Sequence, residues 1–272
     1  MTVEYADAGV RPRHLSDYLL SRGRPVVDLR SAADLMGLDL HAAADAMVRL
    51  RKAGLMFSPA RGLYVAVPPE YRLWRAVPAM DFIDPMMAAH SRQYYVALLS
   101  AAELHGAAHQ RPQVFQVMVD KILADRDFGR VRIRFYSREH LPAVPVVSVN
   151  SSSGTVRVSS PAATLLDLSS RPGYAGGLSN VATVIAELVA ETGLSADAVL
   201  GAASAFPQSS LRRLGWIMDL VDAPLDRDLI ASRLAEHSTE RAHALLDARG
   251  QRRGRSDKRW GLVVNAEVEP DL

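Results

Sequence analysis

His41, Ala44, Asp45, Arg49 and Lys52 stand at intervals of three and four along one polar stripe, so a helix through them gathers all five on one side. Near the leading end of such a helix, His41, Ala44 and Asp45 can reach base edges in a DNA major groove. Arg49 and Lys52, further along, meet phosphates. Arg61 stands eight residues beyond the expected end of that helix, at the tip of an expected ribbon, where it can touch the backbone or the minor groove. Upstream, Arg11, Arg13 and His14 open another helical stretch and can bind a phosphate with help from its N-terminus.

Other chemistry-bearing residues lack the company that chemistry needs. His105 and His109 have a spacing that can ligate metal on a helix, but Gly106 lies between them and no HExxH glutamate is in place, which favours packing or capping. Asp120-Lys121, with Glu139 downstream, suggests a nuclease-like Mg²⁺ set, yet the PD-(D/E)xK spacing is missing. Ser151, Ser152, Ser153, Ser159 and Ser160 have no visible base partner and are taken as strand ends and loop. Gly173 to Gly177 is too irregular for a phosphate-binding loop and lacks the following Lys-Ser/Thr. Asp167, inside Leu165-Leu166-Asp167-Leu168, is expected to be partly buried and hydrogen-bonded, because an unpaired buried carboxylate is costly. No catalytic residues, metal site or cofactor are therefore expected.

The elements that position the first group are legible. Helix is expected from about Pro12 to Ser21, then a short extended piece at Val26-Val27. A second helix runs from about Arg30 to Met36 with Asp28 as its cap, and Gly37 makes the turn. Asp39 caps a third helix to about Ala53, on which Ala43, Ala46, Met47 and Leu50 form a buried stripe. Leu55–Phe57, a turn at Ser58–Gly62, and Leu63–Val67 follow as strand, turn, strand. This is the layout of a winged helix-turn-helix, which places one helix in the major groove and a hairpin beside the backbone. The competing reading is a winged helix that makes protein contacts alone. Pro68-Pro69 closes the unit, so the expected domains are 1–70 and 71–272.

The remainder reads as α+β, giving an α+β chain with an N-terminal winged helix-turn-helix domain and a larger mixed carboxy-terminal domain. Helix is expected from about Asp84 to His109. Strands follow at Val114–Val119, Val131–Tyr136, Val144–Val149 and Gly154–Val158, then several helices from Pro161 onward and a last strand near Trp260–Asn265. Arg132 and Arg134 alternate with Val131, Ile133 and Phe135, so one face of that strand is charged. Arg249, Arg252, Arg253, Arg255, Lys258 and Arg259 form a basic run that can be a solvated loop, a phosphate clamp or the dock for an acidic partner.

Bulk properties agree. Of 272 residues, 49% are hydrophobic and 23% charged, enough for a packed core. The formal charge is +2 and the pI about 9.0, compatible with nucleic acid. Residues 1–70 hold nine Lys/Arg against eight Asp/Glu, so only a lopsided arrangement makes a DNA surface, and specific binding needs more than one copy on a repeated site. With no cysteine, disulfides, thiolate catalysis and Cys-ligated zinc are excluded. The reducing cytosol is the default home. The first ten residues, with Glu4 and Asp7, do not read as a signal peptide, and no uncharged apolar run approaches membrane-spanning length.

Two longer motifs carry a resemblance. The run Tyr94-Tyr95-Val96-Ala97-Leu98-Leu99-Ser100-Ala101-Ala102-Glu103-Leu104-His105-Gly106 precedes the strand Val114–Val119, and Val158-Ser159-Ser160-Pro161-Ala162-Ala163-Thr164-Leu165-Leu166-Asp167-Leu168 follows later. Behind a winged helix, these resemble the AbiEi family of abortive-infection antitoxins, over nearly the whole chain to Trp260–Asn265. Ala163 stands where similar proteins often carry a basic residue. The resemblance implies a cytoplasmic, non-enzymatic antitoxin that binds double-stranded DNA at its own promoter through the winged helix. It also implies action against a nucleotidyltransferase-like toxin encoded beside it, with the carboxy-terminal domain associated with neutralisation. Arg132, Arg134 and the Arg249–Arg259 run are then candidates for additional DNA contacts. The competing classes are a metal-dependent nuclease or nucleotidyltransferase-like enzyme delivered by the winged helix, and a transcription factor whose second domain senses a small molecule.

Overall fold

The computed structural model describes residues 9–107, 112–236 and 244–271. A 3-10 turn at Pro12–His14 leads into α1 (Leu15–Ser21), which seals Leu15 and Leu19 completely. After β1 (Val26–Asp28), the Asp28 carboxylate accepts the Ser31 amide at 2.8 Å and opens α2 (Leu29–Met36). Asp39 does the same for the Ala42 amide at 2.8 Å and opens α3 (Leu40–Lys52). Each carboxylate satisfies an amide that the first helical turn leaves without a partner. Asp39→Ala should therefore cost about 1 kcal/mol, read as a lower urea midpoint at unchanged slope.

The buried residues of α3 are Ala43, Ala46, Met47 and Leu50, the stripe that the spacing predicts. They pack with Leu15, Leu19, Leu35, Met36 and Met56 in one core. β2 (Met56–Ala60) and β3 (Leu63–Ala66) pair antiparallel, and β1 adds beside β3, giving the order β1-β3-β2. The expected five-residue turn is too long: β2 continues to Ala60, and only Arg61-Gly62 turn, with Gly62 at φ 76°. The register shifts between Phe57 and Ala60, and this irregularity takes in Pro59, which has no amide to give a ladder.

The chain continues through α4 (Ile83–Ala89), β4 (Tyr94–Val96) and α5 (Leu98–Leu104). The long helix expected from Asp84 to about His109 is thus broken, and His109 itself lies outside the described residues. Tyr94, Tyr95 and Val96 are all buried, and Val96 aligns with Val158 in a parallel pairing. A strand buried on both faces shows no polar alternation, so in sequence it passes for part of an apolar helix. Leu98, at φ 54°, turns the chain from that strand into α5.

Next come β5 (Phe115–Val119), β6 (Arg126–Phe128), β7 (Val131–Ser137), β8 (Val146–Ser151) and β9 (Gly154–Ser159). With β4 they form a six-stranded sheet of order β6-β7-β5-β4-β9-β8. The short, largely polar β6 gave no signal in the sequence. The helices are α6 (Pro161–Ser170), α7 (Leu178–Thr192), α8 (Ala196–Ala203), α9 (Gln208–Leu220) and α10 (Arg227–Glu236). Ser160 caps α6 through the Ala163 amide, and every residue from Ala162 to Ser169 is buried. β10 (Ala244–Leu245), β11 (Arg255–Asp257) and β12 (Leu262–Val264) form a last sheet of order β10-β12-β11, so part of the expected basic loop is strand.

The chain divides into two compact units. One comprises Met1–Tyr94, Val119–Ser137 and Ser148–Arg157, and the other Tyr95–Met118, Arg138–Val147 and Val158–Leu272. Within the first unit, Phe57, Phe82 and Phe128 meet edge to face at centroid distances of 5.2, 4.9 and 5.9 Å, which draws segments well beyond residue 70 against β2. No helix among the described residues is long and apolar enough to cross a membrane.

Candidate functional site

With its apolar stripe turned inward, α3 leaves His41, Asp45, Arg49 and Lys52 exposed, and Ala44 half-buried between them. His41 Nδ1 lies 3.8 Å from Asp45 Oδ2, both side chains well in solvent. Positive charge gathers toward the other end, where Arg49, Arg51 and Lys52 fall in the last turn. Arg61 is exposed beside Gly62 at the ribbon tip.

Arg11 and Arg13 precede α1 instead of sitting on its first turn, because a 3-10 turn intervenes and α1 starts only at Leu15. They still meet another candidate. Arg11, Pro12 and Arg13 line one side of a cleft of about 580 Å³, and Ala46, Arg49, Leu50, Ala53 and Leu55 line the other. Arg13 Nε donates to His14 Nε2 at 3.0 Å, which leaves the two terminal nitrogens of that guanidinium for other acceptors.

The remaining candidates differ in how much charge they have to offer. Arg132 is exposed on β7, across from Asp127 on β6. Arg134 is already engaged, 2.7 Å from Asp127 and 3.4 Å from Asp125, and its hydrogen bond holds the Asp127 carboxyl below the usual carboxylate range. Arg252, Arg253, Arg255 and Lys258 are exposed. Arg259 lies 3.2 Å from Asp219 and 2.7 Å from Asp228, with its guanidinium 5.3 Å from the Trp260 ring centre. Arg134 and Arg259 are thus poorer phosphate ligands than their sequence setting suggests, because carboxylates from a neighbouring strand and from two helices already match their charge.

Several residues weighed for other chemistry have structural partners. His105 Nε2 lies 2.7 Å from the Ser159 carbonyl, Ser159 Oγ lies 2.7 Å from Thr164 Oγ1, and Ser160 is a helix cap. Among the described residues, His and acidic side chains nowhere gather in a group of three or more that could hold a metal.

The sequence left one cluster hidden. Asp167 is completely buried, where partial burial is expected, and accepts from Tyr95 Oη at 3.0 Å and from Arg138 at 2.9 Å. Arg138 also donates to the Ala205 carbonyl at 2.7 Å and lies 4.0 Å from the Phe206 ring centre. Burial pushes the Asp167 carboxyl up to about 6, against the pull of Arg138 and Tyr95, and it pushes the Tyr95 hydroxyl up as well. Tyr95 and Arg138 lie 72 and 29 residues from Asp167 along the chain, so no local pattern could have paired them. Sealed from solvent, the cluster serves to hold α6 in place.

Residues 95–220 match the family model of the AbiEi antitoxin C-terminal domain. It is similar in fold to the crystal structure of the RV2827C protein from Mycobacterium tuberculosis, with a TM-score of 0.64 and 18% identity over 96% of this chain and 95% of that one. An antigenic nucleotidyltransferase-like protein from Paracoccidioides brasiliensis gives a TM-score of only 0.34, with 10% identity over 54% of this chain and 92% of that one, too low to indicate a shared fold. No curated protein matches the chain.

Proposed function

We propose that this protein is a non-enzymatic, cytoplasmic DNA-binding antitoxin that represses its own promoter and counteracts a nucleotidyltransferase-like toxin. Residues 1–70 act as a winged helix-turn-helix. The observation that carries this reading is α3: its apolar stripe is wholly buried, and its free side offers His41, Ala44 and Asp45 ahead of Arg49 and Lys52, with Arg61 on the ribbon beyond. The antitoxin domain in residues 95–220 supports the second half of the reading and supplies the surface that meets the toxin.

The mechanism is occupancy. A copy on the operator blocks polymerase, and no bond is made or broken. Phosphate contacts give affinity without reading sequence, whereas base-edge contacts discriminate. One copy makes few such contacts and binds weakly, so repression rests on several copies along a repeated site. Arg132, Arg252, Arg253, Arg255 and Lys258 add backbone contacts. Arg134 and Arg259, whose charge is already matched, add less.

A gel shift with the gene's own upstream region tests this. Arg49→Ala and Lys52→Ala should each weaken binding to every duplex alike, with the log–log salt slope falling by about 0.9 for each phosphate lost. His41→Ala should change sequence preference. Unaltered promoter affinity in all three variants would remove α3 from the interface.

A further inference from the structure

Arg11 and Arg13 come from the turn before α1 and Arg49 from the last turn of α3, yet all three line the same cleft of about 580 Å³. Every charged residue on its wall is an arginine, and the rest of the wall is Pro12, Ala46, Leu50, Ala53 and Leu55. The wall thus carries three arginines and no carboxylate. Such an arrangement calls for a compact anion with several acceptor oxygens, since the planar arginine fork suits phosphate.

We infer that this cleft grips a single DNA backbone phosphate with all three arginines together, and so sets the depth and register of α3 in the groove. The inference rests on the DNA-binding reading and deepens it. Arg13 Nε donates to His14 Nε2 at 3.0 Å, which leaves its two terminal nitrogens for a phosphate. Arg49 belongs to the same helix as His41, Ala44 and Asp45, so a phosphate held by Arg49 and the Pro12 turn fixes where those side chains fall along the bases.

The test is salt-dependent binding of the full chain to an upstream duplex, for Arg11→Ala, Arg49→Ala and the double variant. If one phosphate is shared, each single change lowers affinity about tenfold and the salt slope by about 0.9, and the double variant adds little to either. A duplex series carrying one neutral methylphosphonate at each position in turn should reveal one position where wild-type affinity drops and the double variant is indifferent. Losses that multiply, with a slope falling by about 1.8, mean separate phosphates and overturn the clamp while leaving DNA binding intact. The clamp is overturned equally if no position in the series distinguishes wild type from the double variant. Failure of wild type to bind any duplex would remove the clamp together with the DNA-binding reading beneath it.

Discussion

Asp167→Ala is expected to destabilise the protein by about 3–5 kcal/mol, the loss typical of a buried ion pair deprived of one member. Arg138 is 8% exposed and would keep only the Ala205 carbonyl and the face of Phe206 for company, while Tyr95 would lose its acceptor. The converse change, Arg138→Met, strands a carboxylate that can escape its charge by taking up a proton, so its cost should shrink in acid. With the folded pKa raised from 3.8 to about 6, the native state holds the Asp167 proton more tightly than the unfolded chain does. The stability contributed by this group is therefore full below about 3.8 and is lost as pH rises toward 6. In Arg138→Met the loss should extend to higher pH, because the group that pulls the pKa down has gone. Replacing both residues, as Asp167→Leu with Arg138→Met, should recover most of the stability. Urea midpoints at a series of pH values distinguish these outcomes. Equal midpoints for wild type and Asp167→Ala at pH 7 would show that the pair holds nothing together.

Gly215→Ala should also destabilise, although alanine is the better helix former by about 1 kcal/mol. A Cβ at residue 215 would lie 2.1, 2.2 and 2.5 Å from ring atoms of Trp260. Trp260 cannot step aside: it is fully buried, its Nε1 donates to Asp219 at 2.6 Å, and its carbonyl accepts from Arg212 at 2.9 Å. Overpacking of this kind costs about 1–3 kcal/mol and outweighs the gain in propensity. Trp260→Ala, which empties the space instead, should cost about 3–5 kcal/mol. In the Trp260→Ala background, Gly215→Ala should turn neutral or stabilising, because the obstacle has gone. Thermal melts of the four proteins make the comparison. An independent, additive effect of the glycine change would mean that the ring does not lie against α9.

Much of the amino-terminal region was legible because its determinants are local. Asp28 and Asp39 cap the helices that follow them, and the stripe Ala43, Ala46, Met47, Leu50 is a spacing rule on one helix. The antitoxin domain was legible for another reason: the ordered runs beginning at Tyr94 and Val158 survive as strings even though the first is a strand followed by a helix. What escaped was non-local. The buried β4 carries no alternation, and β6 is too short and polar to register. The carboxylates that engage Arg134 and Arg259 could not be anticipated by reading along the run in which each arginine sits.

The chain's own order of residues thus settled where α3 begins, which of its faces is greasy and which family its middle resembles, since each depends on neighbours a few positions apart. Folding in three dimensions settled which charges remain available. It closed Asp167 onto Tyr95 and Arg138, matched Arg259 with Asp219 and Asp228, and set Arg11 and Arg13 across a cleft from Arg49. Charge is additive along a sequence, but its availability depends on what lies within a few ångströms, and only packing brings distant residues that close.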